Sequence, residues 1–105
     1  KGKLTNLGQV VNQKYGKQLN HPFYLNRMTG IYLQKKAFEK ALQFAKLNVK
    51  LFPENANNWD TLGEVYYKKG DKVKAFKHYQ KALKLDPEMM TAVKMIKKIK
   101  SELKK

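Results

Sequence analysis

Asp60 and Glu64 stand four residues apart, so on a helix their carboxylates share one face, an arrangement that could hold a cation. Two acids without a histidine or a third acid make a poor metal site, and solvated charge is the default reading. The histidines are His21, at an expected helix start, and His78, on a lysine-rich stretch with Lys77 and Lys81. Neither has the orienting carboxylate that a general base needs, so His21 reads as a cap and His78 as a surface residue. Ser101, the one serine, lies close to the C-terminus and has no base nearby. Cysteine is absent, which excludes disulfides and thiolate metal sites and leaves no redox compartment legible. Asp71, Asp86 and Glu88 fall where acids complement helix N-termini. Gly63, Gly70 and the Thr29-Gly30 pair fit packing or turn roles, and no glycine-rich phosphate loop is present. The inventory predicts no catalytic centre, no metal and no cofactor; the chain is not expected to be an enzyme.

The formal charge is +15, from 23 basic residues against eight acids. Such an excess favours polyanions through counterion release, and nucleic acid is the first to consider. Only Arg27 carries the forked guanidinium that grips base edges and phosphates in a bidentate way. Lysines spread along helices therefore read first as solvated faces, and binding of nucleic acid or another polyanion is the alternative function. No apolar run approaches the roughly 20 residues that cross a bilayer, so no membrane partner is expected. The Lys-Gly-Lys start lacks the apolar core of a signal peptide and an initiator Met, so the chain is expected to be a piece of a longer protein. Cytoplasm, or periplasm for an exported parent, both stay open. At 105 residues one domain is expected, burying somewhat more than about 60% of its unfolded surface.

The elements that must position these residues follow from spacing and capping. Leu4, Leu7, Val11 and Tyr15 recur at helical steps, giving a helix over residues 3–15 that Gly16 closes, with 17–21 as a connection. Pro22 suits a first helical turn, with Asn20 or His21 as cap, and opens helices over 22–35 and 37–52. After the Pro53-Glu54-Asn55 turn, Asn55 caps a helix ending at Lys69, Gly70 supplies a left-handed exit, and Asp71 caps the next, ending at Leu85. Asp86-Pro87 repeats the cap-plus-proline start for a last helix to about Leu103. Met89, Val93, Ile96, Ile99 or Lys100, and Leu103 form its inner face. Lys94, Lys97, Lys98, Lys100, Lys104 and Lys105 form its outer one. Six helices and no strand are expected.

Large and small residues alternate through the middle of this pattern: Trp59, Leu62, Gly63 and Tyr66 on one helix, Ala75, Tyr79 and Ala82 on the next, Pro87 at the exit. Trp59, Leu62 and Tyr66 share a face, while Gly63 and Ala75 let the facing helix approach. On these positions residues 57–90 resemble a tetratricopeptide (TPR) repeat. Shifting back by 34 residues puts Leu25, Met28, Tyr32, Ala41 and Pro53 in the slots of Trp59, Leu62, Tyr66, Ala75 and Pro87. Thr29 takes the Gly63 slot, Ala45 that of Tyr79 and Asn48 that of Ala82, so the first unit is degenerate. Its Lys35-Lys36-Ala37 joint also lacks the Gly70-Asp71 turn. The expected architecture is all-α, a TPR-like antiparallel helix-hairpin solenoid. It comprises an N-terminal helix and connection (1–21), a degenerate repeat (22–55), a second repeat (56–89) and a capping helix (87–105). Tyr32, Phe44, Trp59, Tyr66, Phe76 and Tyr79 are assigned to packing, whereas Phe23, Tyr24 and Tyr67 are less committed.

The TPR resemblance implies a ligand groove lined by the first helix of each repeat. Carried over by position, it holds Phe23, Asn26, Arg27, Gly30, Leu33 and Gln34 from the first unit. The second supplies Asn57, Asp60, Thr61, Glu64, Tyr67 and Lys68, and the last helix Thr91, Lys94, Met95 and Lys98. TPR domains that clamp a partner's C-terminal carboxylate fill set slots with Lys, Asn and Arg. Here those slots hold Asn26, Gly30, Thr61, Thr91 and Met95, and Asp60 and Glu64 would repel a carboxylate. Chaperone-tail recognition is therefore not expected; a helix or extended segment of mixed charge suits the groove better. Leu25-Asn26-Arg27, Leu47-Asn48-Val49, 52–57 and 60–64 together are also similar to the short C-terminal TPR segment of some bacterial serine hydrolases of the esterase and beta-lactamase-like kinds. That likeness implies that any serine-based chemistry lies upstream of this chain. The expected function is a non-catalytic interaction module for a protein or peptide segment, or for the catalytic domain of its own parent.

Overall fold

The computed structural model describes residues 22–104, with side chains from Tyr24 onward. Among the described residues there are five helices and no strand: α1 (Pro22–Gln34), α2 (Phe38–Leu51), α3 (Ala56–Lys69), α4 (Lys72–Leu85) and α5 (Met90–Lys104). The helix expected over 3–15, its Gly16 closure and the His21 cap lie outside the described residues.

Capping chemistry sets the boundaries. Asn55 Oδ1 accepts from the Asn57 N–H at 3.0 Å to start α3, and Asp71 Oδ1 accepts from the Lys74 N–H at 3.1 Å to start α4. Gly70 leaves α3 with φ 104°, and the N–H groups of Gly70 and Asp71 reach back to the carbonyls of Tyr67 and Tyr66 at 3.0 and 2.9 Å. The joint of the degenerate unit follows the same path. Lys36, in the slot of Gly70, takes φ 60°, and the N–H groups of Lys36 and Ala37 bond Leu33 O and Tyr32 O, both at 2.9 Å. A lysine thus adopts the left-handed conformation that glycine fills in the second unit, at a steric cost of roughly 1–2 kcal/mol.

The helix starts repeat with a strict offset. α1, α3 and α5 begin at Pro22, Ala56 and Met90, and α2 and α4 begin at Phe38 and Lys72. This corrects the start expected at Asp86-Pro87. Asp86 Oδ1 accepts from the Glu88 N–H at 3.1 Å and its carbonyl from the Met89 N–H at 3.2 Å, so Asp86, Pro87 and Glu88 form a turn and α5 opens three residues later. Pro53 lies in the corresponding turn before α3.

α1 and α2 form one antiparallel hairpin, α3 and α4 a second; α2 packs on α3, and α4 on α5. One continuous core runs through them, from Leu33 and Ala41 through Leu62, Val65, Tyr66, Ala75, Tyr79 and Ala82 to Ala92 and Ile99. Its closest approach is at Gly63, where an added Cβ would lie 3.2 Å from three carbons of the Tyr79 ring. Tyr66 and Tyr79 are buried, while Tyr32, Phe44, Trp59 and Phe76 are half-buried. Trp59 anchors its indole by donating Nε1–H to Pro53 O at 2.8 Å, and Tyr32 stacks on Phe44 at 5.5 Å.

α5 packs on α4. Ala92 and Ile99 are fully buried against α4, but Leu103, expected on the inner face, is 52% exposed because it lies a turn beyond the last core contact. The positions of α3 that receive α4 recur in α5 as Val93 for Trp59, Ile96 for Leu62, Lys97 for Gly63 and Lys100 for Tyr66. Both lysines are exposed, and a lysine in the glycine slot blocks the approach that Gly63 permits.

Candidate functional site

Helical spacing brings two rows of side chains to face each other across the seam between α3 and α5. Asp60, Glu64, Tyr67 and Lys68 come from α3, and Thr91, Lys94, Met95 and Lys98 from α5. With Tyr79 of α4 they enclose a cavity of about 400 Å³. Thr91 Oγ1 donates to Asp60 Oδ1 at 3.1 Å and ties the two helices at one end. At the other, the Tyr67 hydroxyl donates to the Glu102 carboxylate at 2.9 and 3.0 Å, and Lys72 Nζ lies 3.3 Å from it.

The charges divide the cavity into unlike walls. Burial pushes the Asp60 carboxyl above the usual carboxylate range, the Thr91 hydroxyl opposes this, and Glu64 adds to it by repulsion. Glu64 pairs with Lys68 at 3.4 Å in an exposed i, i+4 bridge of small energetic weight. Lys98 holds its ammonium 5.4 Å from the centre of the Tyr67 ring. Glu102 is held below the ordinary carboxylate value, first by the Tyr67 hydroxyl and then by Lys72. Tyr67 and Met95 supply the apolar surface between the acids and Lys94 and Lys98. Such a site can pair with both signs of charge and bury an apolar side chain. Among the described residues no group of three His, Asp or Glu is placed to hold a metal ion.

Of the residues expected in the groove, Asp60, Glu64, Tyr67, Lys68, Thr91, Lys94, Met95 and Lys98 line this cavity. Others go elsewhere. Asn26 accepts from Asn48 Nδ2 at 2.9 Å and donates to Asn58 Oδ1 at 3.2 Å. Asn58 in turn donates to the carbonyls of Phe52 and Asn48 at 3.1 and 3.4 Å, so these amides form a seam between the two hairpins. Leu33 is a buried member of the core and not of the groove. Thr61 turns its hydroxyl onto Asn57 O at 2.9 Å. Asn57 borders a separate cleft formed by the turns around Pro53 and Asp86. Arg27 is exposed on α1 and does not line the cavity. Phe23 belongs to α1, and its side chain lies outside the described residues.

Glu102 escaped the sequence reading, although it stands in the slot of Lys68 one repeat later. His78 departs from its expected place on the surface. It is half-buried, stacked on Tyr66 at 5.1 Å and on Trp59 at 5.8 Å, because α4 turns that face back over α3. Burial first, then Lys77, Lys46 and Lys74, hold its imidazole below the usual histidine range.

Comparison with known proteins fits this architecture. Residues 56–89 match the family model of the tetratricopeptide repeat. The chain is 33% identical over 70 residues to a DnaJ homolog subfamily C member 7 homolog of Schizosaccharomyces pombe, covering 67% of this chain and 15% of that protein. It is 36% identical over 83 residues to the BBSome complex member BBS4 of Bos taurus, covering 72% and 16%. Stress-induced-phosphoprotein 1 of Caenorhabditis elegans is 42% identical over 53 residues, covering 50% and 17%. The chain thus spans about a sixth of the length of the curated relatives it matches. Among solved structures, the first TPR of Spaghetti (RPAP3), bound to the HSP90 peptide SRMEEVD, superposes with a TM-score of 0.77 at 20% identity. That likeness covers 99% of this chain and 82% of that one, and it establishes the fold: a TPR-type helical hairpin solenoid.

Proposed function

We propose that this chain is a non-catalytic protein-interaction module, a two-repeat TPR unit with flanking helices that seats a protein or peptide segment between α3 and α5. The observation that carries this reading is the cavity with Asp60, Glu64 and Lys68 on the α3 wall, Lys94 and Lys98 on the α5 wall, and Tyr67 and Met95 between them. A ligand Lys or Arg would face Asp60 and Glu64, a ligand Asp or Glu would face Lys94 and Lys98, and an apolar residue would sit on Tyr67. The relatives named above are consistent with such a role. The peptide held by the structural relative, SRMEEVD, is rich in acid. Here the slots of a carboxylate clamp hold Asn26, Gly30, Thr61, Thr91 and Met95, and Asp60 and Glu64 disfavour an all-acidic tail, so a segment of mixed charge is the better fit. A catalytic domain of the parent protein, such as the serine hydrolase that the sequence resemblance implies, would use the same face.

Selection from a random peptide library, run in parallel on the wild type and on a Glu64→Lys, Tyr67→Ala double variant, tests this. The expected result is a family of sequences pairing a basic residue with an apolar one and an acid, enriched on the wild type alone. Equal enrichment on both proteins of sequences that combine a basic, an apolar and an acidic residue, or no such sequences on the wild type, would overturn the assignment.

A further inference from the structure

We infer that a second surface, the open cleft over the outer side of α4 and α5, docks an acidic amphipathic helical segment of a partner protein. The cleft measures about 760 Å³, and its apolar surface comes from Trp59 of α3, Phe76 and Leu83 of α4 and Ile96 of α5, all half-buried and packed on the core. Lys77, Lys81 and Lys84 rise from α4 around them and Lys100 from α5, with no carboxylate in the lining. This is the converse of the α3/α5 cavity, where Asp60 and Glu64 offset the lysines.

These lysines are not held by acids of the protein itself. The ion pairs among the described residues use Lys68, Lys69 and Lys72, and residues 1–21 contain no acid at all. Four ammonium groups around an apolar surface create a local positive potential that attracts an acidic partner, and an apolar surface gives that partner something besides charge to bury.

The surface chemistry favours protein over nucleic acid. Single-stranded nucleic acid gains about 1–3 kcal/mol for each base stacked on an aromatic ring. Of the rings in the lining, Trp59 and His78 already stack on each other at 5.8 Å and Lys81 Nζ lies 5.6 Å from the Trp59 centroid, which leaves the half-buried Phe76 to take a base. Leu83 and Ile96 offer no π-face, but they match leucine or isoleucine anchors. From Phe76 to Lys84 the lining covers about 12 Å at 1.5 Å per residue, or some two turns. The occupant is therefore a short helix with apolar residues at i, i+3, i+4 and i+7 and acids on either side.

The test uses fluorescence anisotropy at about 150 mM salt, where exposed charge alone is largely screened. The probe is a labelled helical peptide of about 15 residues with leucine at those spacings and glutamate elsewhere. Polyglutamate and oligo-dT of equal length serve as comparisons. The peptide should bind at least about tenfold more tightly than polyglutamate, and a Lys77→Glu, Lys84→Glu variant with an unchanged melting curve should lose at least about tenfold. Glu64→Lys with Tyr67→Ala, on the other cavity, should leave this affinity within about twofold, which separates failure here from failure of the α3/α5 reading. Polyglutamate binding as tightly as the peptide, indifference to the lysine reversals, or oligo-dT binding more tightly than the peptide would each overturn the inference.

Discussion

Two glycines in two helices make opposite predictions for one substitution. Gly30 in α1 and Gly63 in α3 are both interior helical positions, so Gly→Ala gains about 1 kcal/mol of helix propensity at each. At Gly30 a new Cβ meets no atom within 4 Å, and that gain should appear undiminished. At Gly63 the same carbon would lie 3.2 Å from Cδ1, Cδ2 and Cε1 of Tyr79, a ring only 2% exposed and locked between α3 and α4. Overpacking of this kind costs about 1–3 kcal/mol, so Gly63→Ala should range from neutral to about 2 kcal/mol destabilising. Propensity cancels between the two variants, which leaves a difference of about 1–3 kcal/mol from packing alone. In a domain of this size 1 kcal/mol moves the melting temperature by about 4–8 °C. Circular dichroism melts should therefore separate the variants by at least about 4 °C, with Gly30→Ala the higher. Equal stabilisation by both would show that Tyr79 is not seated on Gly63, and the hairpin packing argument would fail.

Lys36→Gly should stabilise the protein by about 0.5–1 kcal/mol in urea denaturation, because it removes a side chain from a residue at φ 60°; a loss of stability would mean that the joint does not follow the path of Gly70. His78 gives a pH dependence whose sign follows from its depressed pKa. The unfolded chain takes up the proton first as pH falls through the ordinary value of 6.5, so the contribution is complete above that value and is lost below it, down to the folded pKa. The urea midpoint of the wild type should therefore drop from pH 7.5 to 5.5 by more than that of His78→Gln; parallel decline would contradict the stacked, half-buried placement.

Much of the hairpin geometry was legible because it depends on residue size and local capping. Gly63 against Tyr79, the caps Asn55 and Asp71, and the exit at Gly70 are short-range choices that one chain segment states by itself. The Lys36 turn was not legible, because its left-handed backbone is imposed by the hairpin on a residue that does not favour it. Asn26 read as a groove residue for a similar reason: its spacing is that of the groove, and only the arrival of Asn48 and Asn58 from other helices turns its amide inward. His78 looked solvated among lysines, yet what buries it is the pair of rings on α3. In the cavity, the row from α3 could be read by position, whereas the link from Tyr67 to Glu102 depends on how α5 lies across α3.

The seam between α3 and α5 is the proposed seat of a partner segment. Titrating ¹⁵N-labelled protein with a peptide recovered from the library selection, and following amide chemical shifts, tests it directly. The largest changes should fall on Asp60, Glu64, Tyr67, Met95 and Lys98, the residues of that cavity. Changes confined to α2, or to the outer side of α4, would contradict it.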